Sequence, residues 1–190
     1  APLLEDESAR DKTYLGISAD WITFHATVST SPDQIAIAPG ELVREYQENG
    51  RRVFEYRAPD KLLAFYTVLS GRYEVKHDTW NGMPLDIYYH KGHAFNLDRM
   101  VASMQAALQA DSTRYSPFQF RQFRIVEFPR YSQFAQAYPA TIPFSENIGF
   151  ILRAGTSADD IDTPFYVTAH ELAHQWWFHQ VVVANVQGAT

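Results

Sequence analysis

Two histidines near the end of the chain, separated by three residues, have the spacing of a helical metal site. The segment reads His170-Glu171-Leu172-Ala173-His174. Four residues advance an α-helix by about 400°, so both imidazoles lie one turn apart on the same face and can reach one cation. Neutral imidazole suits Zn²⁺, and a catalytic zinc site keeps one position for water. We therefore predict that His170 and His174 bind zinc, and that Glu171 is general base and then general acid for the activated water.

The residues before this motif predict the helix that must carry it. Thr163 and Pro164 are a typical helix start, with the threonine hydroxyl as cap and proline at the first helical position. Asp160 and Asp162 are placed to interact favourably with the helix dipole. A match of this length also arises by chance, and a helical histidine pair is often an ordinary surface or core feature. The predicted helix favours the metal site over that alternative.

Composition narrows the chemistry and the partners. The chain has 190 residues and no cysteine, so thiolate chemistry and Cys-based zinc sites are excluded and a metal must be held by His, Asp or Glu. The formal net charge of −6 argues against nucleic acid and anionic membranes as partners. The longest mainly apolar run, 62–69, is far shorter than the roughly 18 residues that span a bilayer. We expect a soluble segment, and the compartment cannot be read from the sequence.

Hydrophobic periodicity divides the chain near Gly92. Before it, β-branched and aromatic residues separated by turn signals predict strands at 21–28, 35–37, 52–56, 73–76 and 85–89. After it, a period of 3.6 predicts a helix from 97 to about 110, with Asn96 as its N-cap. Further strands are predicted at 123–128 and 148–152, with a loop containing Pro139 and Pro143 between them. The pattern predicts an α+β fold in which a β-rich module, 1–91, precedes a second unit, 92–190.

The motif and the residues after it resemble a known family of enzymes. The run from His170 to Trp177, followed by Asn185 to Thr190, is similar to the gluzincin signature of the M1 zinc aminopeptidases. It is closest to peptidase domains fused to bacterial transporter-type membrane proteins. The resemblance implies that 1–91 is the end of an M1-like, antiparallel β-rich N-terminal domain. It implies that 92–190 is the N-terminal lobe of a thermolysin-like catalytic domain.

A second motif of that family has a partial counterpart upstream. The family carries Gly-x-Met-Glu-Asn at this place, and this chain has Pro143-Phe144-Ser145-Glu146-Asn147. The Glu and Asn match, whereas proline and serine replace glycine and methionine. The resemblance implies that Glu146, with Asn147, binds the free α-amino group of a peptide, so that the enzyme removes N-terminal residues. A charge-assisted hydrogen bond between carboxylate and ammonium would fix which peptide bond is cut.

The same resemblance implies parts that these 190 residues do not contain. The third zinc ligand, a glutamate, is expected just beyond Thr190, and a tyrosine that stabilises the tetrahedral intermediate is expected further on. We therefore expect the chain to be a piece of a longer enzyme and to be inactive or nearly so alone. The implied partners are peptides with a free N-terminus and the rest of the parent chain, including a transporter-like membrane region.

Two other classes of function remain open at this point. One is a non-catalytic, M1-like interaction or regulatory domain, and the other is a zinc endopeptidase built on the same helix. The remaining histidines are interpreted as structural, since a lone histidine carries no mechanism; they are His25, His77, His90, His93 and His179.

Overall fold

The computed structural model describes residues 2–9, 12–13, 15, 20–153, 160–182, 184 and 186. Within them the predicted α+β class is confirmed, with mostly antiparallel strands and two α-helices. A short 3-10 helix, Glu7–Ala9, precedes the strands. The strands of the first half are β1 (Trp21–Ile22), β2 (His25–Thr30), β3 (Ile35–Ile37), β4 (Glu41–Glu48), β5 (Arg51–Arg57), β6 (Leu62–Leu63) and β7 (Leu69–Gly71). The elements that follow are β8 (Tyr73–Trp80), β9 (Met83–His90), α1 (Leu97–Arg114), β10 (Phe123–Phe128), β11 (Thr141–Ser145) and α2 (Thr163–Ala173).

The first half contains one three-stranded antiparallel sheet and two short strand pairs. The sheet has the order β2-β5-β4, while β1 pairs with β6 and β3 with β7. Asn49 and Gly50 both have positive φ and form the tight turn between β4 and β5, as the turn signal predicted. Strand β4 was not predicted, because its charged and polar side chains are largely exposed and give no apolar alternation. A small core beneath the sheet includes Phe24, Phe54 and Leu62.

Strands β8 to β11 form a four-stranded mixed sheet, in the order β11-β10-β9-β8. Strands β8 and β9 form an antiparallel hairpin, whereas β9, β10 and β11 run parallel to one another. Their carboxyl ends therefore meet at one edge of the sheet. The boundary predicted at Gly92 falls between β9 and α1, and the sheet has strands from both sides of it; the boundary stays a prediction.

Helix α1 covers one face of this sheet. The main core, which also contains Phe123 and Ile125 of β10, buries the six apolar residues whose period of 3.6 predicted this helix: Leu97, Met100, Val101, Met104, Ala107 and Leu108. The helix continues to Arg114, one turn beyond its predicted end. Asn96 occupies the N-cap position, but its side chain makes no capping hydrogen bond. It donates instead to the carbonyls of Gly149 and Leu152, at 2.6 and 2.8 Å, and ties the start of α1 to the segment after β11.

Two predictions in the segment around β11 are wrong. Residues 141–145 form a buried strand where a loop was expected, because Pro143 lies level with Val126 of β10 without ending the pairing. Residues 148–150 form a turn where a strand was expected. Gly149 fits there because a Cβ at this position would lie 2.5 Å from a ring carbon of Phe144.

Helix α2 begins where the sequence predicted, but with a different cap. The Asp162 side chain accepts a hydrogen bond from the backbone N–H of Phe165 at 3.1 Å, and Thr163 is the first helical residue. Asp162 also forms an ion pair with Arg99 of α1, and the Ser103 hydroxyl donates to the Phe165 carbonyl at 2.6 Å. These contacts fix α2 against α1. Across the described ranges, neither helix combines the length and apolar character that a membrane crossing requires.

Candidate functional site

The two motif histidines lie side by side at the carboxyl end of α2. The helix ends at Ala173, and His174 follows with φ −61° and ψ −13°, which still continues the helical path. The imidazole rings of His170 and His174 are 4.9 Å apart between centroids and nearly perpendicular. His170 is exposed and His174 is half-buried, so a cation can approach the pair from solvent.

The hydrogen bond of His174 leaves one ring nitrogen free for a metal. Its Nδ1 lies 3.2 Å from the carbonyl oxygen of Trp177. A carbonyl only accepts, so Nδ1 must carry the proton and Nε2 presents its lone pair. Metal-binding histidines commonly donate their second N–H to a backbone carbonyl, which fixes the ring and its tautomer. The exposed ring of His170 stacks on Tyr166, with centroids 6.1 Å apart.

Glu171 lies on the buried side of the helix. Burial raises the pKa of its carboxyl, while the imidazoles of His174 and His170 and a hydrogen bond from the Ala137 backbone act in the opposite direction. The backbone N–H of Ala137 thus orients a carboxylate that burial disposes to take up a proton. A carboxyl of this kind, beside two imidazoles, has the chemical character of a general base.

The chain beyond α2 is anchored to the segment that precedes β11. Gln175 is fully buried and exchanges hydrogen bonds with the backbone of Tyr138 and Ala140. The His179 Nε2 lies 3.2 Å from the carbonyl oxygen of Ala137, and burial lowers the pKa of its imidazole to about 4. His179 is thus a neutral, buried structural residue.

A second cluster of titratable side chains lies at the edge where the parallel strands end. It comprises His90, His93, Glu127 and Glu146, whose potential ligand atoms all lie within 4.8 Å of one another. His93 Nδ1 is 2.5 Å from Oε1 of Glu127, and the His90 backbone N–H donates to Oε2 of Glu127 at 2.5 Å. We call these four residues the strand-end cluster. It could hold a metal ion.

The predicted site residues fall into two separate groups. His170, Glu171 and His174 are brought together on α2, whereas Glu146 follows β11 and belongs to the strand-end cluster. Its carboxylate lies 3.8 Å from His93 Nδ1 and 3.8 Å from Arg130 Nε. Asn147 is a half-buried turn residue. Among the residues that the structure describes, no His or acid joins His170 and His174 in a group as compact as the strand-end cluster.

Sequence reasoning missed the strand-end cluster although its signals were present. Glu127 is a charged residue inside a strand whose other members are apolar apart from Arg124, and such a charge requires partners. His90 and His93 flank a glycine-containing turn at the end of β9. Their separation from Glu127 and Glu146 in sequence hid the proximity, which depends on the parallel pairing of β9, β10 and β11.

One cavity lies apart from both clusters. It has a volume of about 290 Å³ and lies between Trp21 and Lys61 on one side and Phe120 and Arg121 on the other. No predicted catalytic or metal-binding residue lines it.

No protein-family model and no curated protein sequence matches the chain.

Proposed function

We propose that this chain provides the zinc-binding and general-base residues of an aminopeptidase of the M1 kind, acting on peptides with a free N-terminus. In this proposal the sheet with α1 and α2 is the N-terminal lobe of a thermolysin-like catalytic domain. The observation that supports it best is the combination of side chains on α2. The ring centroids of His170 and His174 are 4.9 Å apart, and burial raises the carboxyl pKa of the adjacent Glu171.

The donor set at α2 fits zinc. Two neutral imidazole nitrogens are ligands that Zn²⁺ favours, and the Nδ1–H of His174 is already held by the Trp177 carbonyl. When bound there, zinc would supply Lewis-acid activation of water. Glu171 would take up the proton released by that water and later transfer it to the leaving amine. Its hydrogen bond from Ala137 holds the carboxylate in one orientation for both transfers.

Glu146 is the residue proposed to hold the substrate's α-ammonium group, with Asn147 next to it. Its side chain is mostly buried, and its oxygens lie 3.8 Å from His93 Nδ1 and 3.8 Å from Arg130 Nε, which is longer than a hydrogen bond. An ammonium ion would satisfy it with a charge-assisted hydrogen bond. This assignment makes the enzyme an exopeptidase, because a blocked N-terminus carries no such charge.

Zinc titration of the chain tests the metal assignment. His174→Ala should weaken zinc binding at this site at least about tenfold, because loss of even an outer-sphere partner commonly costs 10- to 100-fold. His77→Ala is the matched control, since His77 also contacts a carboxylate, Asp86, at 2.7 Å but is exposed and remote in sequence from α2. Equal zinc affinities for the two variants would contradict the proposal.

Blocked and free peptides test the exopeptidase assignment. Any hydrolytic activity carried by these residues should act on peptides with a free N-terminus and not on their N-acetylated counterparts. Glu146→Gln should raise KM for the free peptides. Cleavage that is indifferent to acetylation would show that Glu146 does not bind the substrate amine and would favour an endopeptidase.

A further inference from the structure

The carboxyl ends of three parallel strands bring two imidazoles and two carboxylates together, and we propose that they bind one divalent ion of a first-row transition metal. The ligands are His90, His93, Glu127 and Glu146. This strand-end site is separate from the His170–His174 pair, and the proposal does not depend on the peptidase function. It shares Glu146 with the proposed substrate site, and the two carboxylate oxygens face different ways: Oε2 lies near His93 and Oε1 near Arg130.

The spacing of the donor atoms is close to that of a four-coordinate site. Bonds of about 2.1 Å place neighbouring ligand atoms of a tetrahedron about 3.4 Å apart. His90 Nδ1 and Glu127 Oε2 are 3.3 Å apart, and His93 Nδ1 and Glu146 Oε2 are 3.8 Å apart. The shorter contact, 2.5 Å between His93 Nδ1 and Glu127 Oε1, is a hydrogen bond. A bound ion would take the place of the Nδ1 proton in that bond, and a neutral His93 would then carry its proton on Nε2.

Burial and charge favour a cation at this position. Glu127 is fully buried in a strand of which every residue is buried, and a buried carboxylate is unfavourable unless it is paired. The cluster brings two carboxyl groups, Glu127 and Glu146, within ligand distance of two imidazoles. Arg130 Nε lies 3.8 Å from Glu146 Oε1, and the Arg130 side chain is largely exposed. A divalent cation would balance the charge within the cluster itself.

The ligand types indicate the class of metal. Calcium and magnesium are bound by oxygen ligands, whereas imidazole suits zinc, iron, copper and nickel. Two imidazoles with two carboxylates therefore favour a first-row ion such as Zn²⁺ or Co²⁺ over Ca²⁺ or Mg²⁺.

The scaffold holds the ligands close together before any ion binds. The Glu146 backbone N–H donates to the Phe128 carbonyl at 3.0 Å, which continues the pairing of β10 with β11. The His93 N–H donates to the His90 carbonyl at 3.0 Å across the turn that contains Gly92. The turn and the strand pairing thus set the relative positions of His90, His93 and Glu146 around Glu127.

Calorimetric titration of the full 190-residue chain with Zn²⁺, and separately with Co²⁺, tests the proposal. In a His170→Ala/His174→Ala background, one equivalent of ion should still bind. Adding His93→Gln should weaken that binding at least about tenfold. His77→Gln in the same background is the matched control and should leave the affinity unchanged, because His77 pairs with a single carboxylate in an exposed position.

Two further variants provide independent tests of the site if His93→Gln folds poorly. Glu146→Gln changes a residue outside the strands and should weaken binding as His93→Gln does. Arg130→Gln should tighten it about two- to fivefold, since it removes a positive charge near the ion that solvent only partly screens. The circular dichroism of each variant reports whether the fold is retained.

The outcomes separate this proposal from the peptidase. If the His170→Ala/His174→Ala background binds no ion, or if His93→Gln and Glu146→Gln leave its affinity unchanged in folded protein, the strand-end site is overturned. If the wild-type chain and that background bind the same number of ions with the same affinities, zinc binding at α2 is contradicted and the strand-end site stands.

Discussion

The side chain of Gln175 accepts a hydrogen bond from the backbone N–H of Ala140 at 3.0 Å and so joins the end of α2 to the turn before β11. The same amide donates to the carbonyl of Tyr138 at 3.1 Å. Ala140 has φ +55°, an unusual value for a residue other than glycine. The buried side-chain amide of Gln175 therefore holds this turn in place. Ala137, which precedes the turn, donates a backbone hydrogen bond to Glu171.

Gln175→Ala should lower the free energy of unfolding by about 1–3 kcal/mol, because it leaves the buried Ala140 N–H without its partner. The Tyr138 carbonyl also loses one of its two donors and keeps the Thr141 N–H at 3.1 Å. Urea denaturation measures the change. Gln109→Ala is the control, since the Gln109 amide is exposed and donates only to Thr113 one helical turn away; its cost should stay below about 0.5 kcal/mol. Similar losses for both variants would show that Gln175 is not a structural tie.

The buried imidazole of His179 predicts a specific loss of stability in acid. Burial lowers its pKa from the ordinary value of 6.5 to about 4, so the folded chain stays unprotonated there while the unfolded chain binds a proton. Stability should therefore fall as the pH is lowered from about 6.5 to about 4, by up to about 3 kcal/mol from this residue. His179→Gln keeps an N–H donor for the Ala137 carbonyl and should lose this part of the pH dependence.

Unfolding curves at several pH values, recorded in the presence of a chelator, make the comparison. The quantity of interest is the difference between wild-type and His179→Gln, because the carboxylates titrate in both. If the stability difference between wild-type and His179→Gln does not change between pH 4 and 6.5, His179 is protonated as readily in the folded chain as in the unfolded one, which contradicts the prediction.

The sequence was most informative where one period dominates a whole element. The six apolar residues of α1 that recur at helical spacing, from Leu97 to Leu108, are all buried. Strand β4 escaped prediction because an exposed strand need not alternate, and β11 because Pro143 suggested a loop. Long-range strand pairing could not be predicted either. His90 lies beside Glu127 because β9 and β10 are aligned in parallel, and no local sequence signal indicates that alignment.

The N-cap of α2 is Asp162 in the structure, whereas the sequence predicted Thr163. Asp162→Ala should destabilise the chain by about 0.5–2 kcal/mol, because the Phe165 N–H loses its capping partner. Thr163→Ala should cost less than about 0.5 kcal/mol, since Thr163 is the first helical residue and not the cap. Thermal unfolding of the two variants decides between them, and a larger loss for Thr163→Ala would support the threonine cap.

Glu171→Gln should separate metal binding from proton transfer at α2. The substitution preserves size and leaves an amide oxygen that can accept the hydrogen bond from Ala137, so the fold and the zinc affinity should change little. It removes the group that takes up the proton of water, which should lower any peptidase rate by about 10²- to 10⁴-fold. Zinc titration and hydrolysis of an aminoacyl reporter measure the two properties on the same preparation.

His174→Ala is the companion variant, because it should weaken zinc binding and abolish hydrolysis together. The difference between Glu171→Gln and His174→Ala is more informative than the loss of hydrolysis in either variant, because a misfolded variant would lose both zinc binding and hydrolysis. If Glu171→Gln retains full hydrolytic activity while His174→Ala does not, the base must be another group. If both variants bind zinc as the wild type does, the imidazoles 4.9 Å apart at the end of α2 are not its ligands.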